Sequence, residues 1–307
     1  KILNKINNIH TATFAVNPPF PKNINVELNN VCNHKCNFCA YQFMNRKAGN
    51  IDVKNLEKWL IEAHKLGTRE IGLASGTEPL ASKHLEHFIK FSKKIGYEYT
   101  YFSTNGTLAT TERIRNIIDS GIDSIKFSIN AGTKEMYKKV HGKDQFDIAI
   151  KNLMEVSKYR KASKPYLAIS FVKTEQNKST IPNLKRLTQN YIDEFIVAEK
   201  DNQSGQMVNP NEKGQFEVKT CGIPFNKIHI SMEGYLRICC VDYENLLAVV
   251  DLKKVKSLEA AYYSKPMREF RQRHISNNLK GSLCYNCLYN CNEPVKPLNP
   301  ELTQFWK

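Results

Sequence analysis

The sequence predicts an α/β fold: a partial (β/α)6 TIM-like barrel followed by a small C-terminal β-hairpin/helix iron–sulfur domain. Three observations carry the prediction. Short apolar runs alternate with stretches of helical period between residues 23 and 200, the pattern of parallel strands joined by crossover helices. Glycine stands at the end of each early helical stretch, at Gly67, Gly96 and Gly121, where a left-handed residue closes a helix without steric cost. Beyond residue 220 the alternation gives way to a hairpin, one helix and a scatter of cysteines. An open doubly wound sheet is the other arrangement that six such units permit.

Taken in order, residues 1–22 end in Asn17-Pro18-Pro19-Phe20-Pro21, a stiff extended lead-in. Asn25-Val26-Glu27-Leu28 alternates as a first strand. A helix is expected over 52–66 with Asp52 as its N-cap, since Val53, Leu56, Leu60, Ile61 and Ala63 share a face. A buried strand over 70–74 follows, then a helix over 82–95, a strand over 97–103, a helix over 110–120 and a strand over 122–129. One helix is expected over 133–161, a strand over 166–173, a helix over 179–190 and a strand over 193–198. Residues 201–220 are rich in Asn, Gln and Gly and read as a linker or a loop over the barrel mouth. A hairpin then turns at Met232-Glu233-Gly234, and a single helix is expected over 257–274. The domains are therefore 23–200 and 221–307.

At 307 residues and 41% apolar content the chain can bury a sizeable core. No apolar run approaches the length of a membrane span and no signal segment opens the chain, so a cytoplasmic protein is expected. Its net charge of +15 is carried mainly by lysines spread along helical stretches, among them Lys90, Lys94 and Lys139. Arg–aromatic interleaving is missing, so a solvated face is expected and nucleic acid is not. An anionic small substrate fits the same balance.

Nine cysteines fall into two groups, one of three near the start and one of six after residue 220. In a reducing compartment such clustering points to metal. Cys32, Cys36 and Cys39, spaced C-x3-C-x2-C after the first strand, can converge on one inorganic centre. With His34 they form a candidate Cys3His zinc set, but His34 lies too close to its neighbours to complete a relaxed tetrahedron. A [4Fe–4S] cube takes four ligands, so three cysteines leave one iron open.

This loop, with Phe38 before its third cysteine, resembles the signature loop of the radical S-adenosylmethionine (SAM) superfamily. The resemblance covers about residues 23–200 and implies that the open iron chelates SAM. Gly76-Thr77-Glu78-Pro79 is similar to the superfamily's Gly-Gly-Glu-Pro motif, which binds the SAM amino group; Thr77 stands where the second glycine does. Ser103 and Asn105, and Ser128 and Asn130, match the polar strand ends that hold the ribose and carboxylate. Phe38 matches the aromatic that lies against the adenine.

Cys221, Cys239 and the pair Cys284-x2-Cys287 can close one tetrathiolate site, which chemistry alone divides between zinc and [4Fe–4S]. Their order, with Gly234 five residues before Cys239, resembles the twitch appendage, a shortened SPASM domain carrying one auxiliary [4Fe–4S] cluster. Cys240 is either a buried neighbour, an alternative ligand, or a hydrogen-atom donor like the second cysteine in radical epimerases. Cys291 reads as a packing residue or an unassigned thiol. The resemblance implies two [4Fe–4S] clusters, SAM and a reducing protein such as flavodoxin or ferredoxin. It implies hydrogen-atom abstraction from a polar substrate, leading to oxidation or epimerisation. A sugar, aminosugar or cyclitol is expected over a ribosomal peptide, because the Pro-interrupted residues before Asn25 do not form a peptide-binding winged helix. A zinc-stabilised nucleic-acid-binding protein is the remote alternative.

Overall fold

The computed structural model describes residues 12–207 and 220–303. The expected lead-in and linker therefore lie partly outside the described residues, at 1–11 and 208–219. Six parallel strands form the barrel wall: β1 (Asn23–Val26), β2 (Glu70–Gly72), β3 (Tyr99–Thr104), β4 (Ser124–Ser128), β5 (Tyr166–Lys173) and β6 (Glu194–Glu199). The helices between them are α1 (Val53–Lys65), α2 (Leu85–Ile95), α3 (Thr111–Asp119), α4 (Lys134–His141), α5 (Phe146–Tyr159) and α6 (Ile181–Thr188). The Asp52 side chain accepts from the Asn55 amide to start α1, and Gly96, at φ 103°, closes α2.

After α7 (Ile223–Asn226), β7 (Lys227–Ile230) and β8 (Tyr235–Arg237) make the expected hairpin, and β9 (Ala248–Asp251) extends it. The sheet order is β6-β5-β4-β3-β2-β1-β7-β8-β9. β7 runs parallel to β1, with Asn25 opposite His229, so the hairpin continues the barrel's sheet. The C-terminal helices are α8 (Leu258–Tyr262), α9 (Lys265–Ile275) and α10 (Leu283–Tyr289). The described part of the lead-in is stitched to them: Tyr263 donates to the Pro18 carbonyl (3.0 Å) and Arg271 to that of Val16 (3.3 Å).

Two expected helices are corrected. The stretch 133–161 breaks into α4 and α5 because Gly142 takes φ 70°, where its missing Cβ admits the Lys35 carbonyl at 3.1 Å. The stretch 257–274 breaks into α8 and α9, since Pro266 cannot continue a helix and instead opens α9.

Alternation in the strands divides the molecule into two surfaces. Ile24, Val26, Ile71, Phe102, Ile125, Phe127, Ile169 and Ile228 face the helices and belong to one apolar core. The residues between them point the other way. Asn25, Tyr101, Ser103, Lys126, Ser128, Lys227 and His229 line a cavity inside the sheet's curve. Barrel interiors are usually packed with branched apolar side chains; this one is polar. Among the described residues no helix is long and apolar enough to cross a membrane.

Candidate active site

The cavity, about 380 Å³, opens at the C-terminal ends of the strands. It brings together every site residue expected from the first half of the chain. Cys32, Cys36, Phe38 and Cys39 line it beside Gly76, Thr77 and Glu78, and Ser103, Asn105, Ser128 and Asn130 complete that rim. Cys240 lines it as well, whereas Cys221, Cys239, Cys284 and Cys287 lie off it.

Hydrogen bonds from three directions hold the cysteine loop. Tyr41 Oη accepts from the Cys32 amide at 2.7 Å, and the Val140 carbonyl accepts from the Asn37 amide at 2.9 Å. Asn105 Nδ2 donates to Asn33 Oδ1 at 2.8 Å, tying the loop to the end of β3. Cys36 Sγ lies 3.3 Å from His141 Nδ1, and Cys39 Sγ lies 3.4 Å from Tyr243 Oη. Burial pushes the Cys32 thiol up to about 12, with the charges of Glu78 and Cys39 adding to it. Cys36 is raised by burial and then by Cys39 and Cys32. These thiols sit close enough to oppose one another's ionisation, an arrangement that a cationic centre reverses.

The Glu78 turn is built as a clamp. The Glu78 carboxylate accepts from the Leu80 amide (3.0 Å), Thr104 Oγ1 (2.6 Å) and the Asn105 amide (2.8 Å). Burial raises its pKa against the pull of those donors. Gly76 has φ 76°, and a Cβ there meets Tyr243 at 2.9 Å, so glycine is required. Thr77 is not among the positive-φ residues, and its hydroxyl donates to the Asn29 carbonyl at 2.8 Å, so threonine fits where the family has glycine. Asn130 Oδ1 accepts from the Val172 amide at 2.7 Å, and its own amide donates to His141 Nε2 at 3.1 Å.

The C-terminal thiols lie within one another's field, off the cavity that Cys240 lines. Cys221, Cys239 and Cys284 pack into the apolar core. Burial raises Cys284, then the charges of Cys221 and Cys287, and burial lifts Cys287 to about 12 with Cys221 contributing. The side chains of Cys239 and Cys240 bear on one another, an interaction that raises Cys239 and lowers Cys240. Cys291 instead bonds Asn286 Oδ1 at 3.3 Å, in keeping with a packing residue. The described part of the expected linker lies here too, with Asn202 Nδ2 donating to the Cys287 carbonyl at 2.8 Å.

Zinc and an iron–sulfur cube ask for different spacings. A tetrahedral zinc at about 2.3 Å from each ligand draws the ligand atoms to within roughly 4 Å of one another. Among the described residues, the one His/Cys/Asp/Glu group gathered within 4.8 Å is His34, Cys36 and His141. His34 Nε2 bonds Gln145 Oε1 at 3.0 Å and His141 Nε2 accepts from the Asn130 amide; among the described residues His34 Nδ1 has no partner, and His141 Nδ1 lies 3.3 Å from Cys36 Sγ. Among the described residues neither the three loop thiols nor the four C-terminal thiols are gathered within that zinc-like spacing.

Several residues that shape this site carried no signal in the sequence. Arg46 bridges Glu27 (2.6 Å) and Glu233 (2.9 Å), and Arg237 reaches Glu27 at 3.3 Å. Arg237 also donates to Ser75 Oγ at 2.8 Å, so the hairpin holds the turn that carries Gly76. Each of these is a lone charge in the sequence, and only long-range folding pairs it.

Comparison with known proteins agrees with this geometry. The model of the radical SAM superfamily matches residues 26–187, and that of the SPASM family, an iron–sulfur cluster-binding domain, matches 221–288. An uncharacterised protein of Methanocaldococcus jannaschii is 29% identical over 66% of this chain and 63% of its own. A probable GTP 3′,8-cyclase of Sulfurisphaera tokodaii is 26% identical over 53% of this chain and 50% of its own. The match thus spans half to two thirds of these relatives. In fold, the chain is similar to BtrN in complex with AdoMet and 2-DOIA (TM-score 0.61, 16% identity, 89% of this chain and 93% of that one). It is similar also to Streptococcus suis SuiB bound to precursor peptide SuiA (TM-score 0.69, 18% identity, 97% and 74%). The chain belongs to the radical SAM superfamily, with an iron–sulfur cluster-binding domain after its barrel, and its cofactors are [4Fe–4S] clusters and SAM.

Proposed function

We propose that this protein takes a hydrogen atom from one carbon of a small polar molecule, a sugar, aminosugar or cyclitol, and inverts that carbon. In this reading Cys240 returns the hydrogen atom. The observation that carries it is that Cys240 lines the same cavity as the three-cysteine loop while Cys239 does not. The polar inner face of the strands supports a polar substrate. Cys32, Cys36 and Cys39 would hold the SAM-binding cluster, and Cys221, Cys239, Cys284 and Cys287 the auxiliary one. When bound, the cluster and SAM supply a 5′-deoxyadenosyl radical that abstracts hydrogen from a C–H bond. Glu78, Asn105, Ser103, Ser128 and Asn130 orient SAM at the strand ends, with Phe38 against its adenine.

Cys240 must carry a proton to do this work. The interaction with Cys239 favours the Cys240 thiolate, and the Lys227 and Arg237 charges act in the same direction. As a cluster ligand Cys239 would hold no proton, and its negative sulfur beside Cys240 would favour S–H there. After donating its hydrogen atom, the sulfur takes back one electron and one proton, so a reducing protein such as flavodoxin or ferredoxin serves both this step and SAM cleavage.

The test is anaerobic turnover of reconstituted protein with SAM and reductant in heavy water, using aminosugars, cyclitols and peptides. The expected product is inverted and carries solvent deuterium at the reacting carbon, and Cys240→Ala yields none of it. A product lighter by two hydrogens and free of deuterium replaces inversion with oxidation, the auxiliary cluster taking the electron. Absence of 5′-deoxyadenosine under every condition sinks the whole reading.

A further inference from the structure

We propose that Lys126 and Lys227 form an anion-holding floor to the cavity, and that the substrate carries a carboxylate or phosphate group which they grip. The inference rests on reading the cavity as a substrate site and narrows the class of molecule it takes.

Both lysines occupy inward positions. Lys126 lies on β4 in register with Ser103 of β3, one inward step below Ser128. Lys227 opens β7, one inward step below His229, which stands opposite Asn25 of β1. All of them line the cavity. Burial pushes both ammonium groups down from their ordinary value, and the other charges bearing on Lys126 are Cys240, which favours its charge, and Lys227, which opposes it. Among the described residues no carboxylate forms an ion pair with Lys126. Lys227 has Glu70 and the nearby thiols in its field. Two cations held in one desolvated space are costly unless an anion joins them.

A second observation points to the same ligand. His229 is 0% exposed, and among the described residues neither of its ring nitrogens has a hydrogen-bond partner. Burial keeps it neutral, with Lys227 and Arg237 adding to that effect, so one of its nitrogens carries a hydrogen to donate. Beside it the Asn25 carbonyl oxygen already accepts from Tyr101 Oη at 2.8 Å. Lys126 and His229 thus bring an ammonium and an imidazole donor to the cavity beside the Lys227 charge, and an oxyanion meets all three. Lys227 and His229 lie below the strand ends matched to SAM, while Lys126 stands level with Ser103. The two lysines thus reach from the cofactor's groups to the base of the cavity, the part left to the substrate's anion.

The test is calorimetry on reconstituted holoprotein with SAM bound, using inorganic phosphate, glucuronate and neutral glucose as probes. Phosphate or glucuronate is expected to bind at least tenfold more tightly than glucose. Lys126→Gln and Lys227→Gln are each expected to lose tenfold or more of that affinity, with Lys126→Arg recovering most of it. Equal affinity for charged and neutral probes overturns the proposal. So does a Lys126→Gln protein that loses SAM affinity as steeply as probe affinity, since the lysine then serves the cofactor. If the variants do not fold, the wild-type protein still decides: the charged probe must weaken with added salt and glucose must not. A wild-type protein that binds the charged probe yet never cleaves SAM refutes the radical chemistry alone.

Discussion

Replacing Arg46 with methionine tests whether the buried ion network holds barrel and C-terminal hairpin together. Arg46 is 5% exposed, and Glu27 is 1% exposed. Its guanidinium donates to Glu27 at 2.6 and 3.2 Å, to Glu233 at 2.9 Å twice, and to the Tyr243 carbonyl at 3.3 Å. Methionine fills much of the volume but leaves two carboxylates facing each other. Glu27 keeps Arg237 and the Met232 amide (2.9 Å), so Glu233 bears more of the loss. Removing one partner of a buried pair costs about 3–5 kcal/mol. At about 2–4 °C per kcal/mol for a chain somewhat smaller than this one, Tm should fall by roughly 10 °C. The assay is thermal unfolding of the holoprotein near neutral pH at low and high salt. A buried network is little screened, so the loss should persist in high salt. Adding Glu233→Gln to Arg46→Met should cost less than the two single changes summed. A fall of less than about 3 °C, or one that vanishes in salt, refutes the reasoning.

Other expectations follow from single contacts. His274 is fully buried between Phe225 and Phe270, neither ring nitrogen is partnered among the described residues, and burial holds it down to about 4. Its ordinary value is about 6.5, so the unfolded chain binds the extra proton first: stability is full above pH 6.5 and falls by about 2 kcal/mol towards pH 5. His274→Leu should flatten that dependence in thermal melts at the two pH values; an unchanged slope refutes it. Gly132→Ala drives a Cβ to 2.1 Å from the Thr180 carbonyl oxygen and 2.9 Å from the Leu184 amide, backbone atoms that cannot swing aside. It should cost about 1–3 kcal/mol, read as a lower urea midpoint. Thr77→Gly, which restores the family's own residue, should destabilise by about 1–2 kcal/mol through the lost bond to Asn29 and a freer unfolded chain. A variant as stable as the parent shows that the threonine hydroxyl is idle.

Local signals were legible, and distant pairings were not. Each glycine stop, the cysteine loop and the polar turns at strand ends depend on a few adjacent residues, and all of them stand where the pattern put them. Lys126, in Ile125-Lys126-Phe127, reads as an ordinary strand lysine until its register with Ser103 turns it inward. His229 reads as one residue of a hairpin. Only its pairing with Asn25, 204 residues away by subtraction of the two numbers, makes it part of the barrel wall. The break at Gly142 was hidden for the same reason. Nothing nearby in the chain announces that the Lys35 carbonyl will come to rest against it.

The alternation in Asn23-Ile24-Asn25-Val26-Glu27-Leu28 serves both stability and chemistry, on opposite faces of one strand. Ile24, Val26 and Leu28 are each 1% exposed or less and anchor the apolar core. Asn23 donates to Glu70 (3.0 Å) and Tyr101 (3.1 Å), Asn25 accepts from Tyr101, and Glu27 takes Arg46. A one-residue slip of register exchanges the two faces, burying amides against helices and aliphatic carbons against the cavity. The parallel pairing of β7 with β1 therefore serves both the core and the cavity. It completes the core through Ile228 and Ile230 and, in the same four residues, brings Lys227 and His229 to the cavity. Substitutions on the outward face should act on Tm and those on the inward face on ligand affinity. A large Tm loss from Lys126→Gln would show that the inner face also carries the fold.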